Sequence, residues 1–109
     1  MPNKYGNRKV TTKDGVFDSN KEATRWGQLK LMQNAGLISN LERQVKRTLI
    51  PAQYIDGKCA ERAVTYTSDF EYDQDGKHIV EDTKGMKTDK YIIKRKLMLW
   101  VHGIRIKEV

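Results

Sequence analysis

Apolar residues in KEATRWGQLKLMQNAG recur at helical spacing, whereas in ERAVTYTSDFEYDQDGKHIVEDTKG they alternate with polar ones, and this contrast divides the chain into elements. Ser19, with Glu22 three residues on, has the spacing of a capping box and predicts a helix that ends at Gly36. Glu22, Trp26 and Leu29 fall at i, i+4 and i+7, so a carboxylate shares the stripe of two large apolar residues expected to face the core. Such a carboxylate needs a partner, and either helix capping or a metal ion supplies one. Before the helix, VTTKDGVFDS carries an Asp14-Gly15 hairpin signal. After it, Leu41, Val45, Leu49 and Ile50 predict a strand that stops near Pro51, followed by the turn-like DGKCA.

The long alternating stretch reads as two strands joined at Asp75-Gly76. A two-residue loop there sets Tyr72 opposite Ile79, Phe70 opposite Glu81, and Asp69 opposite Asp82, absent a bulge that would shift Asp69. Alternation then places Val64, Tyr66, Phe70, Tyr72 and Ile79 on one face, and Thr65, Thr67, Asp69, Asp82 and Lys84 on the other. Opposed carboxylates repel, so the Asp69 and Asp82 pair calls for a cation unless water screens it. KTDKYIIKRKLMLWVHG predicts a second helix from Thr88 or Asp89 to Gly103, with Ile93, Leu97 and Trp100 on one stripe and Lys87, Lys90 and Lys94 on another. IRIKEV closes the chain as a short strand, giving the order helix, three strands, helix, strand.

The 109 residues, 38% of them hydrophobic, suit a single domain spanning 1–109, without repeat or linker. Its 21 Lys and Arg against 14 Asp and Glu give a net charge of +7, which points to a polyanionic partner without naming it. Residues 1–10, with Lys4, Arg8 and Lys9, read as a flexible basic arm able to follow a phosphate backbone. The lone Cys59 excludes an intramolecular disulfide and a cysteine-rich zinc site, as expected of a cytoplasmic protein. No apolar run has the length of a membrane span, so no membrane partner is expected. His78 and His102 stand too far apart in sequence to suggest a metal pair, and both are assigned to structure, as are Tyr91, Trp26 and Trp100.

In this order, Glu22 in SNKEATRW, Asp69 in TSDFEY and Asp82-Thr83-Lys84 in VEDTKG resemble the signature of the PD-(D/E)XK nucleases. That superfamily has an acidic residue on the first core helix, an Asp on the second strand, and Asp or Glu, any residue, then Lys on the third. From KYGNRK through FDS-x-KEA to IKEV, the chain is similar to a small family of phage and prophage proteins akin to Holliday-junction resolvases. Ser68 replaces the Pro that commonly precedes the second-strand Asp, and the double acid Glu81-Asp82 leaves two candidates for the third-strand ligand. Alternation with Lys84 favours Asp82, with Glu81 as the fallback.

The resemblance implies an α/β (α+β) fold with a restriction-endonuclease-like core, a mixed sheet of about four strands flanked by helices in the order αβββαβ. It implies a Mg²⁺- or Mn²⁺-dependent DNA endonuclease acting on branched or recombination intermediates in a phage-infected host cytoplasm, with a homodimer compatible. Asp69, Asp82, Glu22 and the backbone carbonyl of Thr83 would hold the metal, Lys84 would orient the attacking water, and Lys4, Arg8, Lys9, Lys87, Lys90 and Lys94 would contact DNA. Two other classes compete: a non-catalytic nucleic-acid-binding module on the same fold, and a basic assembly protein of a phage particle.

Overall fold

The protein is described by a computed structural model over residues 9–83 and 86–109. Lys4, Arg8 and Lys84 lie outside the described residues. So does most of the expected basic arm, although Val10 already belongs to the first strand.

Strands β1 (Val10–Thr12) and β2 (Gly15–Phe17) form an antiparallel hairpin with Thr12 opposite Gly15, so the Asp14-Gly15 signal marks its turn. Helix α1 spans Asn20–Asn34; the Ser19 hydroxyl accepts the Glu22 N–H at 3.1 Å, and Gly36, at φ +79°, follows the helix end. The stripe expected to face inward does so: Glu22 and Leu29 are buried and Trp26 stacks on Phe70 at 5.8 Å. Next come β3 (Ser39–Ile50), β4 (Gln53–Ile55), β5 (Lys58–Glu61), β6 (Val64–Gln74) and β7 (Lys77–Asp82). Helix α2 (Asp89–His102), capped by Thr88 and closed by left-handed Gly103, leads to β8 (Lys107–Glu108).

The fold is mixed α+β, built on a mixed four-stranded sheet in the order β3-β6-β7-β8, antiparallel except where β7 and β8 run parallel. The element order departs from αβββαβ because two short hairpins, β1 with β2 and β4 with β5, are added to it. The sequence marks the second only by the turn-like DGKCA. Asp56 and Gly57 both adopt positive φ there, as Asp75 and Gly76 do at the β6–β7 turn, which is the geometry of the primed hairpin turn. The final strand is shorter than IRIKEV, since Ile106 is buried as core before β8 begins. No described helix is long and apolar enough to cross a membrane.

Two apolar clusters sandwich the sheet. Phe17, Leu29, Ile38, Phe70 and Tyr72 pack with α1, and Leu49, Tyr66, Val80, Tyr91, Met98 and Ile106 pack with α2. The β6–β7 register is the expected one from Phe70 opposite Glu81 to Gln74 opposite Lys77, but the pairing stops short of Asp69 and Asp82, which bond instead to Thr83 and Tyr66. The face assignment is corrected, however, because Val64 and Tyr66 join the α2 cluster while Phe70, Tyr72 and Ile79 join the α1 cluster. Strict alternation cannot put positions 66 and 70 on opposite faces. The switch lies between Ser68 and Phe70, and β3 switches with it: Leu41 belongs to the α1 side and Leu49 to the α2 side. Register is kept across the switch, with Arg43 opposite Phe70 and Val45 opposite Ser68, while Gln44 between them takes φ +58°. The two strands therefore turn over together without slipping.

Helix α2 is also rotated from the expectation. Tyr91 and Met98 form its buried line, whereas Ile93 is 59% and Trp100 86% exposed, so Trp100 is not a packing residue. Polar partners fix this rotation: the Tyr91 hydroxyl and Arg95 both donate to Glu108, and a His102 ring nitrogen sits 2.8 Å from the Thr48 carbonyl.

Candidate active site

The switch in β6 places Asp69 at the seam between the two faces. One of its carboxylate oxygens, Oδ2, accepts both the backbone N–H and the hydroxyl of Thr83, each at 2.7 Å. Asp69 is thus tied to Thr83, the residue that follows Asp82 at the end of β7.

Glu22 reaches the same region from the first turn of α1. Its backbone N–H is capped by Ser19, while its carboxylate turns toward the sheet, where Gln44 Nε2 donates to Oε1 at 3.2 Å and Arg43 stands 4.0 Å away. At 2% exposure this acid is held above the ordinary carboxylate pKa, first by burial and then by the negative charges of Asp69 and Asp18. The charge of Asp69 therefore acts on Glu22 across the α1–sheet seam.

Asp82, also buried, turns toward α2, and its Oδ2 accepts the Tyr66 hydroxyl at 2.5 Å. Burial, then this bond and the charge of Asp82, drive the Tyr66 pKa far above that of an ordinary phenol, with Asp69 adding to the rise. Without the face switch in β6, Tyr66 would lie on the far side of the sheet from Asp82. Glu81 points the other way, into the α1 face. Arg25 holds it in a bidentate pair at 2.9 and 2.7 Å, and the Tyr72 hydroxyl donates a short third bond. Burial works against the Glu81 charge, but those donors outweigh it and lower its pKa, while burial and Glu81 push Tyr72 up to about 12.

Of the expected DNA contacts that are described, Lys9 is exposed and Lys87 pairs with Glu108 at 3.3 Å. Lys90 and Lys94 line a cleft of about 350 Å³ with Thr65, Tyr66, Thr67, Thr88 and Tyr91. That cleft reaches the tyrosine bonded to Asp82.

Among the described residues no three His, Cys, Asp or Glu side chains stand in a group ready to hold a metal. The donor set itself is chemically suited to one: Glu22, Asp69 and Asp82 offer hard carboxylate oxygens, and Glu22 and Asp69 repel each other. A hard divalent cation would relieve that repulsion.

Sequence reasoning did not anticipate Tyr66, Arg25, Tyr72 or Gln44 as partners of the acidic residues, since each contact crosses between elements. It also missed a second charged network centred on Glu71, two residues along β6 from Asp69. Buried Glu71 accepts from Arg47, from Ser68 at 2.8 Å and faces His78 Nε2 at 2.7 Å, while His78 Nδ1 faces Asp73 at 2.8 Å. The structural assignment of His78 agrees with this placement.

The model of the family described as "Protein of unknown function (DUF1064)" matches residues 2–105. No curated protein and no solved structure matches the chain.

Proposed function

The chain belongs to the DUF1064 family, and from that premise, which leaves the activity to be read from geometry, we propose a metal-dependent DNA endonuclease of the PD-(D/E)XK kind. The observation that carries the reading is the contact of Asp69 with Thr83, at the centre of Asp82-Thr83-Lys84, with Glu22 within the field of Asp69. Glu22 from α1 and Asp69 from β6 stand within each other's field, while Asp82 at the end of β7 turns to the α2 side beside Tyr66. The strand order β3-β6-β7-β8, with only the last pair parallel, supports a restriction-endonuclease-like core.

In this reading Glu22, Asp69, Asp82 and the Thr83 carbonyl would hold Mg²⁺ or Mn²⁺. When bound, such an ion acidifies water and polarises the phosphoryl oxygen under attack. The chain's own residues do the remaining work. Lys84 orients the attacking water and stabilises charge developing on the phosphate. Thr83 fixes Asp69, and Tyr66 fixes one oxygen of Asp82. Asp82 takes the third-strand ligand position because both Glu81 oxygens are committed to Arg25 and Tyr72. Lys90 and Lys94, beside Tyr66, would meet the DNA backbone as it approaches from the α2 side. The substrate is branched or recombination DNA, and a homodimer would present two such sites to it.

A non-catalytic nucleic-acid-binding module is the second reading. It is favoured by the internal bonds that Asp69 and Asp82 already make to Thr83 and Tyr66. Cleavage of linear, flapped and four-way DNA with and without magnesium separates the two. Magnesium-dependent product supports the nuclease, and binding without product on all three substrates supports the module.

A further inference from the structure

Between the outer side of α1 and the end of β7 lies a cleft of about 310 Å³, lined by Lys21, Thr24, Arg25, Gln28, Thr83 and Val109. We propose that this cleft binds one unpaired nucleotide of the DNA strand, next to the phosphate that is cut. The proposal rests on the nuclease reading for the identity of its ligand, but its binding test does not require cleavage.

Position is the first argument. The cleft includes Thr83, the residue bonded to Asp69, and Lys21 stands one position before Glu22 on α1, so the cleft adjoins the segments that carry the candidate carboxylates. Spacing is the second. Lys21, Thr24, Arg25 and Gln28 stand at i, i+3, i+4 and i+7 and form one continuous wall of the helix.

Chemistry is the third argument. Arg25 is locked onto Glu81 and also donates to Gln28 Oε1 at 3.2 Å, which makes a rigid floor and fixes the Gln28 amide with its nitrogen left to donate elsewhere. Among the described residues, ion pairs occupy Arg25, Lys30, Arg43, Arg47, Lys87 and Arg95, and Lys21 is not in that group. Its exposed ammonium is therefore available to a phosphate. The methyl groups of Thr24, Thr83 and Val109 and the stems of Lys21 and Gln28 supply carbon surface for a sugar or base. The volume sits at the lower end of small-ligand pockets, roughly 300–1,000 Å³, which suits a single nucleotide and not a stacked base pair. An unpaired nucleotide is what a flap offers and a continuous duplex withholds.

The test is binding of a fluorescently labelled flapped DNA and of a fully paired duplex of the same length, measured in EDTA over a salt series with Lys21→Ala and Gln28→Ala. Both side chains lie on the exposed side of α1, so both variants are expected to fold. Lys21→Ala is expected to weaken flap binding roughly tenfold, as for one lost charge-assisted contact, and to reduce its salt slope by about 0.7. Duplex affinity is expected to stay within twofold. Gln28→Ala is expected to weaken flap binding without changing the slope. Equal losses on flap and duplex would reduce Lys21 to part of a general basic surface and overturn the proposal, and so would no loss on either. Because the assay contains no metal, a protein that never cuts DNA but shows the flap-specific loss retains the cleft and loses only the nuclease reading.

Discussion

Asp69 Oδ2 accepts both the backbone N–H and the side-chain hydroxyl of Thr83, so a single oxygen on β6 fixes the segment that continues β7. Thr83→Val keeps the side-chain shape and the backbone bond but removes the hydroxyl donor. It is expected to cost about 1 kcal/mol in urea denaturation. It should also slow cleavage without abolishing it, because Asp69 loses one of its two tethers. Unchanged stability would show that the hydroxyl bond contributes nothing to the site.

Arg25 and buried Glu81 form an ion pair that joins α1 to β7. Arg25→Met leaves the Glu81 charge buried with only Tyr72 as donor, and roughly 3 kcal/mol of stability should be lost. The pH dependence has a definite sign. The folded pKa of Glu81 is depressed, so its contribution is full above the unfolded value of roughly 4.3 and is lost as pH falls through the folded value. Glu81→Gln should therefore flatten the acid limb of the stability profile. An identical acid limb in parent and variant contradicts the pairing.

His78 titrates in the opposite sense. Glu71 and Asp73 raise its pKa, so its stabilising contribution is present below the unfolded value of roughly 6.5 and disappears as pH rises through the folded value. Thermal melts across neutral pH should show this loss in the parent and not in His78→Gln. A parallel decline in both proteins would assign the effect to other groups.

In the proposed reading, Glu22 would link stability to the metal. Its folded pKa is raised, so the favourable protonated form is present below the unfolded value and is lost as pH rises through the folded one. At neutral pH the ionised group is then a burden that Glu22→Gln removes, and the variant should melt higher than the parent without metal. Magnesium should raise the melting temperature of the parent and leave that of Glu22→Gln nearly unchanged. Equal magnesium shifts would take Glu22 out of the ligand set.

Much of this architecture is legible in local sequence signals. The Ser19 and Thr88 caps, the Gly36 and Gly103 ends and the Asp75-Gly76 turn act within a few residues, and each stands where its signal is. What misleads is longer in range. Alternation from Val64 to Tyr72 implies one face, but β3 and β6 turn over together at Gln44 and Asp69, a cooperative event that neither strand announces. The rotation of α2 likewise depends on Glu108 and Thr48, distant partners that outweigh the apolar stripe of Ile93 and Trp100. The element positions of Glu22 and Asp69 are legible in the same local signals. The contacts of Tyr66, Arg25 and Gln44 are not, because they exist only after the sheet has folded.

The central claim is that Asp82 is a metal ligand of a nuclease. Its most direct test compares parent, Asp82→Asn and Glu81→Gln for magnesium-dependent cleavage of flapped and four-way DNA, with affinity for the same substrates measured in EDTA. The account predicts cleavage by the parent and none by Asp82→Asn, whose DNA affinity stays equal or rises because a negative charge facing phosphate is removed. Glu81→Gln should retain cleavage, since its carboxylate serves Arg25 and Tyr72. Cleavage by Asp82→Asn at the parent rate, or a parent that binds these substrates and never cuts them with magnesium present, would contradict the account.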